Sequence, residues 1–176
     1  MKASAEQIKQ LREMTGCGVI ECKKALEEAN LDQKQAVANL KQMGLELAAK
    51  KGSREAKEGR IESYIHNGNK IGVMVEINCE TDFVANAEEF VKLSKNIAMH
   101  IAAANPKYIK KDDVPADVLA KQDDAAQFIK DSCLLEQPYI KEPDKTVGEL
   151  ITALIATIRE NIYVNRFARY KVNEVE

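Results

Sequence analysis

The chain has 176 residues, 45% hydrophobic and 31% charged, a balance that allows a buried core and excludes an intrinsically disordered chain. With a formal net charge of -2, it lacks the strongly basic footprint of a nucleic-acid binder. The sign is uneven: residues 1–60 hold 12 basic side chains against 9 acidic ones, a balance of +3, and the rest hold 14 against 19, or -5. A modestly basic front on an acidic body reads either as a docking surface for an acidic protein or as ordinary solvated faces.

Met1-Lys2-Ala3-Ser4 leads directly into a polar helical pattern, without the apolar core of a secretory signal. No apolar stretch approaches the ~18 residues needed to cross a bilayer, so a cytoplasmic chain without membrane contact is expected. Ser4 and Gln7 have capping-box spacing, and Ile8, Leu11 and Met14 then share one helical stripe that stops at Thr15-Gly16. After Gly18, Val19, Cys22, Ala25, Leu26 and Ala29 recur at helical spacing. Asp32 can cap a third helix carrying Ala36, Val37, Leu40 and Met43 before Gly44.

The stretch from Leu45 to Arg60 is rich in Ala, Lys and Glu and is broken only by Gly52-Ser53 and Gly59, which reads as a partly helical connector. Beyond it, Ile61, Ser63 and Ile65 alternate with Glu62, Tyr64 and His66. Asn67-Gly68-Asn69 follows, and then Ile71, Val73, Val75, Ile77 and Cys79 occupy every second position. Period two on both sides of an Asn-Gly predicts a hairpin.

A helix is expected over about 87–104, with Phe90, Leu93, Ile97 and Ile101 facing the sheet; a second from Pro115 to near Ser132; and a third from about Thr146 to Glu160. Ile162, Val164, Ala168, Tyr170 and Val172 fall on one side of a closing strand. The predicted architecture is α+β: a three-helix bundle over residues 1–45, a connector over 46–60, and an α+β core over 61–176. In that core, helices cover one face of a small antiparallel sheet.

Sites of covalent chemistry are hard to find. No phosphate loop, nucleophile elbow or zinc-protease helix motif occurs. Cys17, Cys22, Cys79 and Cys133 form no CxxC pair, and His66 and His100 lie far apart, a spacing unsuited to zinc. The thiols read as small buried apolar groups or as redox groups. Neither a metal nor a cofactor is expected. Cys79 beside Glu80 and Asp82 could be imagined as a nucleophile, but neither histidine is placed to serve as its base.

The unusual segment is Asn78-Cys79-Glu80-Thr81-Asp82-Phe83-Val84, where a strand runs into a polar turn that carries a Phe. One reading makes Thr81 or Asp82 a helix N-cap and Phe83 a hydrophobic staple. The other puts Asp82 and Phe83 on an exposed turn, as an apolar wedge beside a carboxylate that anchors an interface.

Two motifs carry a resemblance. Leu11-Arg12-Glu13-Met14-Thr15-Gly16-Cys17-Gly18-Val19-Ile20-Glu21-Cys22-Lys23-Lys24-Ala25-Leu26 resembles the opening signature of the bacterial elongation factor Ts family, within a domain of ubiquitin-associated type. Gly72 to Ala85, which includes Asn-Cys-Glu-Thr-Asp-Phe-Val-Ala, is similar to the family's second signature. Shorter stretches at 97–100, 137–139, 145–148 and 166–167 extend the similarity from about residue 6 to about residue 170.

The resemblance implies a protein that binds elongation factor Tu and releases its GDP, cleaves no bond and is therefore not an enzyme with its own chemistry. It assigns Leu11, Arg12, Val19 and Ile20 to contact with the partner's nucleotide-binding domain. Thr81, Asp82, Phe83 and Val84 are assigned to the element that intrudes near the partner's Mg2+ and switch regions, and His100 to the sheet domain's contact region. Without the resemblance, Arg12 reads as a solvated residue and Val19 and Ile20 as core, although adjacent residues on one helix cannot both be fully buried.

Two departures stand out. Only one sheet unit fits after Arg60, where longer members have two, so two copies are expected to pair as a homodimer. The tail Asn173-Glu174-Val175-Glu176 also lacks the family's Gly-Glu-Gly ending. Two rivals remain open. An adaptor for ubiquitin-like folds would explain only residues 1–45, and a thiol enzyme would depend on Cys79 or Cys22.

Overall fold

The computed structural model describes residues 2–174; Val175 and Glu176 of the divergent tail lie outside them. The chain divides into two units. One comprises the chain up to Arg54 with Thr152–Asn161, and the other Glu55–Ile151 with the chain from Ile162 onward.

Local caps set the helices of the first unit. In α1 (Ala5–Thr15), Gln7 N donates to Ser4 Oγ at 3.2 Å and Ser4 N donates to Gln7 Oε1 at 2.9 Å, the reciprocal cap its spacing predicts. Gly16 closes the helix in the left-handed region, φ 69, its N–H donating to Arg12 O. After Gly18 comes α2 (Val19–Glu28), and Asp32 caps α3 (Gln33–Lys51) by accepting from Gln35 N at 2.8 Å. The three helices close over Leu11, Cys22, Ala25, Leu26, Ala29, Ala36 and Leu40. Met14 and Val19, expected on the buried stripes, are both exposed. They sit in the last turn of α1 and the first turn of α2, where the stripes run out past the core.

Gly44, read from the sequence as the end of the third helix, lies inside α3 and is buried. A Cβ there would stand 3.3 Å from Ala156 Cβ and 3.7 Å from Thr152 Cγ2. The missing side chain thus serves close helix packing, a use of glycine that sequence punctuation alone does not distinguish from a helix stop.

In the second unit, β1 (Glu58–Ile65) and β2 (Ile71–Cys79) pair antiparallel from Glu58↔Cys79 to Ile65↔Gly72. They are joined through Asn67-Gly68-Asn69, with Gly68 at φ 85 and Asn69 at φ 54, the hairpin predicted from Asn-Gly. After α4 (Asp82–Ala85), helix α5 (Glu88–Ala104) covers one sheet face with Phe90, Leu93, Ile97 and Ile101 buried. They stand over Val73, Val75, Ile77 and Cys79 of β2.

The helix expected from Pro115 to Ser132 is broken into α6 (Ala116–Leu119) and α7 (Ala125–Ser132). Asp124 accepts from Gln127 N at 2.9 Å and starts a new helix; a short polar side chain competes for backbone donors and favours a cap over a helix interior. A small hairpin, β3 (Pro138–Tyr139) with β4 (Glu142–Thr146), has no counterpart in the sequence reading. Helix α8 (Val147–Ile158) is boxed by Thr146 and Glu149. It ends at Arg159 in the left-handed region, φ 66.

The last strand, β5 (Tyr163–Lys171), pairs antiparallel with β2, giving the sheet order β1-β2-β5. A bulge between Glu76 and Ile77 leaves Asn165 unpaired and reverses the alternation partway along β5. Val164, opposite Ile77, is buried, whereas Ala168 and Tyr170, opposite Met74 and Gly72, lie on the outer face. The expectation that Ile162, Val164, Ala168, Tyr170 and Val172 share one side is therefore corrected. Arg169 takes an inward position, and its Nε donates to Ala102 O in the last turn of α5 at 3.2 Å, satisfying a helix-end carbonyl.

The Gly44 contact has a measurable consequence. Gly44→Leu is expected to destabilise the protein by about 1–3 kcal/mol through overpacking against Ala156, read as a lower midpoint in urea unfolding with an unchanged slope.

Candidate functional site

The site begins where β2 ends. Cys79 is fully buried and its Sγ donates to Thr81 O at 3.2 Å. Thr81, extended at φ -127, caps α4, and its Oγ1 accepts from Val84 N at 3.3 Å. Ala85 N donates to Thr81 O at 3.1 Å, and Asn86 reaches Asp82 O twice, through its backbone N at 3.2 Å and its Nδ2 at 2.8 Å. Val84 and Ala85 turn inward and are buried. With about 100° between successive residues of a helix, that choice leaves Asp82 and Phe83 outward. Phe83 is 82% exposed.

Of the two readings of this turn, the cap is Thr81 and the staple is absent. A staple requires the residue preceding the cap, and that position is held by Glu80, while Phe83 stands in solvent. A lone exposed Leu is commonplace, but a Phe at the tip of a doubly bonded turn is an apolar surface held out by its own backbone.

In the first unit, Arg12, Val19 and Ile20 surround the α1–α2 junction. Val19 is 52% and Ile20 79% exposed, Arg12 is exposed, and Met14, which the sequence reading gave no partner role, adds a third exposed apolar side chain. Both Val19 and Ile20 are thus free, where the sequence reading allowed one. Leu11 is fully buried and belongs to the core. Leu11, which the resemblance assigned to partner contact, lies beneath this surface. Glu21, next along α2, pairs with the guanidinium of Arg159.

His100, which the resemblance assigned to the sheet domain's contact region, is also fully buried. Ile140 N can only donate, so His100 Nδ1 accepts, at 3.4 Å, and the ring proton sits on Nε2, 2.9 Å from Gln137 Oε1. Gln137 Nε2 then donates to Asp131 O at 2.6 Å and Ala104 O at 3.4 Å. The ring ties α5 to the β3–β4 hairpin and does not join the Thr81–Val84 turn. Burial pulls its pKa down, against a smaller opposing effect of the Gln137 bond.

Burial likewise pushes the thiols of Cys22 and Cys133 up, the wrong direction for a nucleophile. Among the described residues, no group of three or more His, Cys, Asp or Glu could hold a metal ion, and no helix is long and apolar enough to cross a membrane.

Comparison with known proteins yields consistent matches. The family model described as "Elongation factor TS" matches residues 3–128. The elongation factor Ts of Caldanaerobacter subterraneus subsp. tengcongensis is 48% identical, with 97% of each chain covered. That of Thermodesulfovibrio yellowstonii is 47% identical over all of this chain and 99% of its own. That of Carboxydothermus hydrogenoformans is 46% identical over 97% of this chain and 89% of its own.

The buried imidazole sets a pH dependence. Since its folded pKa lies below the unfolded value of about 6.5, the unfolded chain binds the extra proton first, and stability falls as pH drops below that value. Urea unfolding at pH 7.5 and 5.5 is expected to give a lower midpoint at 5.5, and the difference is expected to shrink in His100→Gln.

Proposed function

As the chain belongs to the elongation factor Ts family, we propose that it binds elongation factor Tu and promotes GDP release in the elongation step of protein synthesis. The observation that carries this reading is Phe83, 82% exposed on a turn whose next two residues are buried. The chain acts as a binding protein, without cofactor, covalent step or direct nucleic-acid contact, and its role implies a cytoplasmic protein.

Docking uses Arg12, Val19 and Ile20 at the α1–α2 junction, with Leu11 beneath. Thr81 and Val84 hold the turn, and Asp82 and Phe83 enter near the partner's Mg2+ and phosphate site. His100 contributes by keeping the β3–β4 hairpin on α5. Factor and nucleotide then weaken each other's binding by one and the same coupling free energy. Disturbing the Mg2+ removes the largest local charge holding the diphosphate. Burying one Phe contributes about 1.5–3 kcal/mol, or about 10- to 100-fold in rate, so the wedge requires docking elsewhere to complete the effect.

The outer face of the sheet supports a homodimer. Ile61, Ile65, Met74 and Tyr170 are all exposed on the side away from α5, bordered by Glu76, whose carboxylate is held by Asn165 and Arg166. A second copy stacked on this face would bury a continuous apolar patch and supply a second sheet unit.

Two measurements test these readings. Phe83→Ala is expected to slow stopped-flow release of labelled GDP from elongation factor Tu by about 10- to 100-fold while the complex still forms; an unchanged rate would remove Phe83 from the role. In sedimentation, the chain is expected to run as a dimer and Met74→Lys as a monomer, and a monomeric parent chain would reject the pairing.

A further inference from the structure

A wedge works only if the peptide that carries it points one way, and α4 is too short to hold itself. Four helical residues make few internal hydrogen bonds, and a helix of that length has no stability of its own in water. Its direction comes from the burial of Val84 and Ala85 and from bonds outside the regular pattern. Two carbonyls of this turn each receive two donors. Thr81 O takes Ala85 N and the buried Cys79 Sγ, and Asp82 O takes Asn86 N and Asn86 Nδ2.

The second of these matters more for function. Asp82 O belongs to the planar peptide that joins Asp82 to Phe83. Holding its carbonyl from two sides constrains ψ of Asp82 and φ of Phe83 together, so a single residue aims both outward side chains.

Asn86 has no other visible task. It is exposed, it follows the last residue of α4 with φ -101 and ψ -4, and its side chain lies outside the core. The side-chain bond to Asp82 O, at 2.8 Å, is shorter than the backbone bond to the same atom at 3.2 Å. Without the amide, Asp82 O keeps its backbone donor and the turn still forms, but its aim loosens.

We propose that Asn86 is a positioning residue for nucleotide release. Its side-chain amide clamps the Asp82–Phe83 peptide and orients the Asp82 carboxylate and the Phe83 ring toward the partner, while Asn86 itself stays out of the partner's nucleotide site. The proposal rests on the reading of Phe83 as the wedge.

The test uses the full chain with Asn86→Ala, Asn86→Asp and Asn86→Ser, and Phe83→Ala as reference. Release of labelled GDP from elongation factor Tu is followed at rising concentrations of each chain, so that the maximal rate separates from the half-saturating concentration. Asn86→Ala and Asn86→Asp, which lack the donor, are expected to lower the maximal rate about three- to tenfold with half-saturation within about twofold of the parent. Asn86→Ser is expected to recover most of the rate, because a hydroxyl can bond to the carbonyl four residues back. A purely structural role predicts no such split and no recovery by Ser. Maximal rates equal to the parent's for the Ala and Asp variants, or a Ser variant as slow as Ala, would overturn the proposal. Slow release by Phe83→Ala beside unimpaired Asn86 variants sinks the positioning role alone. Phe83→Ala at the parent rate sinks the wedge reading with it.

Discussion

The fully buried Cys79 and the exposed Phe83 lie four residues apart, and the backbone between them has to turn from sheet to helix without a loop long enough to absorb the change. The turn is made by doubling donors on two carbonyls and by burying Val84 and Ala85 beneath α5 and the sheet. The exposure of Phe83 follows from this constraint. A Phe on a mobile loop would lose conformational freedom on docking and bind more weakly, whereas one held out by its own backbone would be ordered beforehand. The sheet and α5 are in this sense a mount: their packed residues decide where an otherwise unsupported four-residue helix points.

The first unit presents its apolar side chains by a different device. The buried stripe of α1 stops at Leu11, a turn before the helix ends, and that of α2 begins at Cys22, a turn after the helix starts. Met14, Val19 and Ile20 therefore lie beyond the core without any conflict with helical spacing. The same geometry sends Leu11 inward. The α1–α2 motif thus divides into exposed side chains and residues that hold them in place, a division that sequence similarity does not express. His100 illustrates it again: its tautomer, its burial and its bonds to Gln137 and Ile140 make it a link between α5 and the β3–β4 hairpin.

The two faces of the sheet differ. Its inner face is filled by Val73, Val75 and Ile77 under α5, while the outer face keeps Ile61, Ile65, Met74 and Tyr170 in solvent. Antiparallel sheets commonly bury one face and present a polar one to water. Here the outer face carries Ile61, Ile65, Met74 and Tyr170, with the Glu76–Arg166 ion pair beside them. The bulge at Asn165 makes this possible, since it lets Val164 stay in the core while Ala168 and Tyr170 move to the outer side.

Much of this was legible in the residues themselves. Caps, periodicity and the Asn-Gly turn depend on neighbours within about four positions, so Ser4 with Gln7, Asp32, the β1–β2 hairpin and the buried positions of α5 could be read directly, and two long motifs pointed to the family. What depends on distant chain was decided only by the folded structure. Gly44 looks like a stop until Ala156 is brought beside it, whereas the break in the 115–132 segment rests on the local cap from Asp124 to Gln127. The strand from Tyr163 looks regularly alternating until its register against β2 forces a bulge. The same holds for the site. Asp82 and Phe83 were visible as types, but exposure is a property of what packs around a residue. Only the burial of Val84, Ala85 and Leu11, together with the bond from Asn86 to Asp82 O, separates the exposed side chains from those that hold them in place.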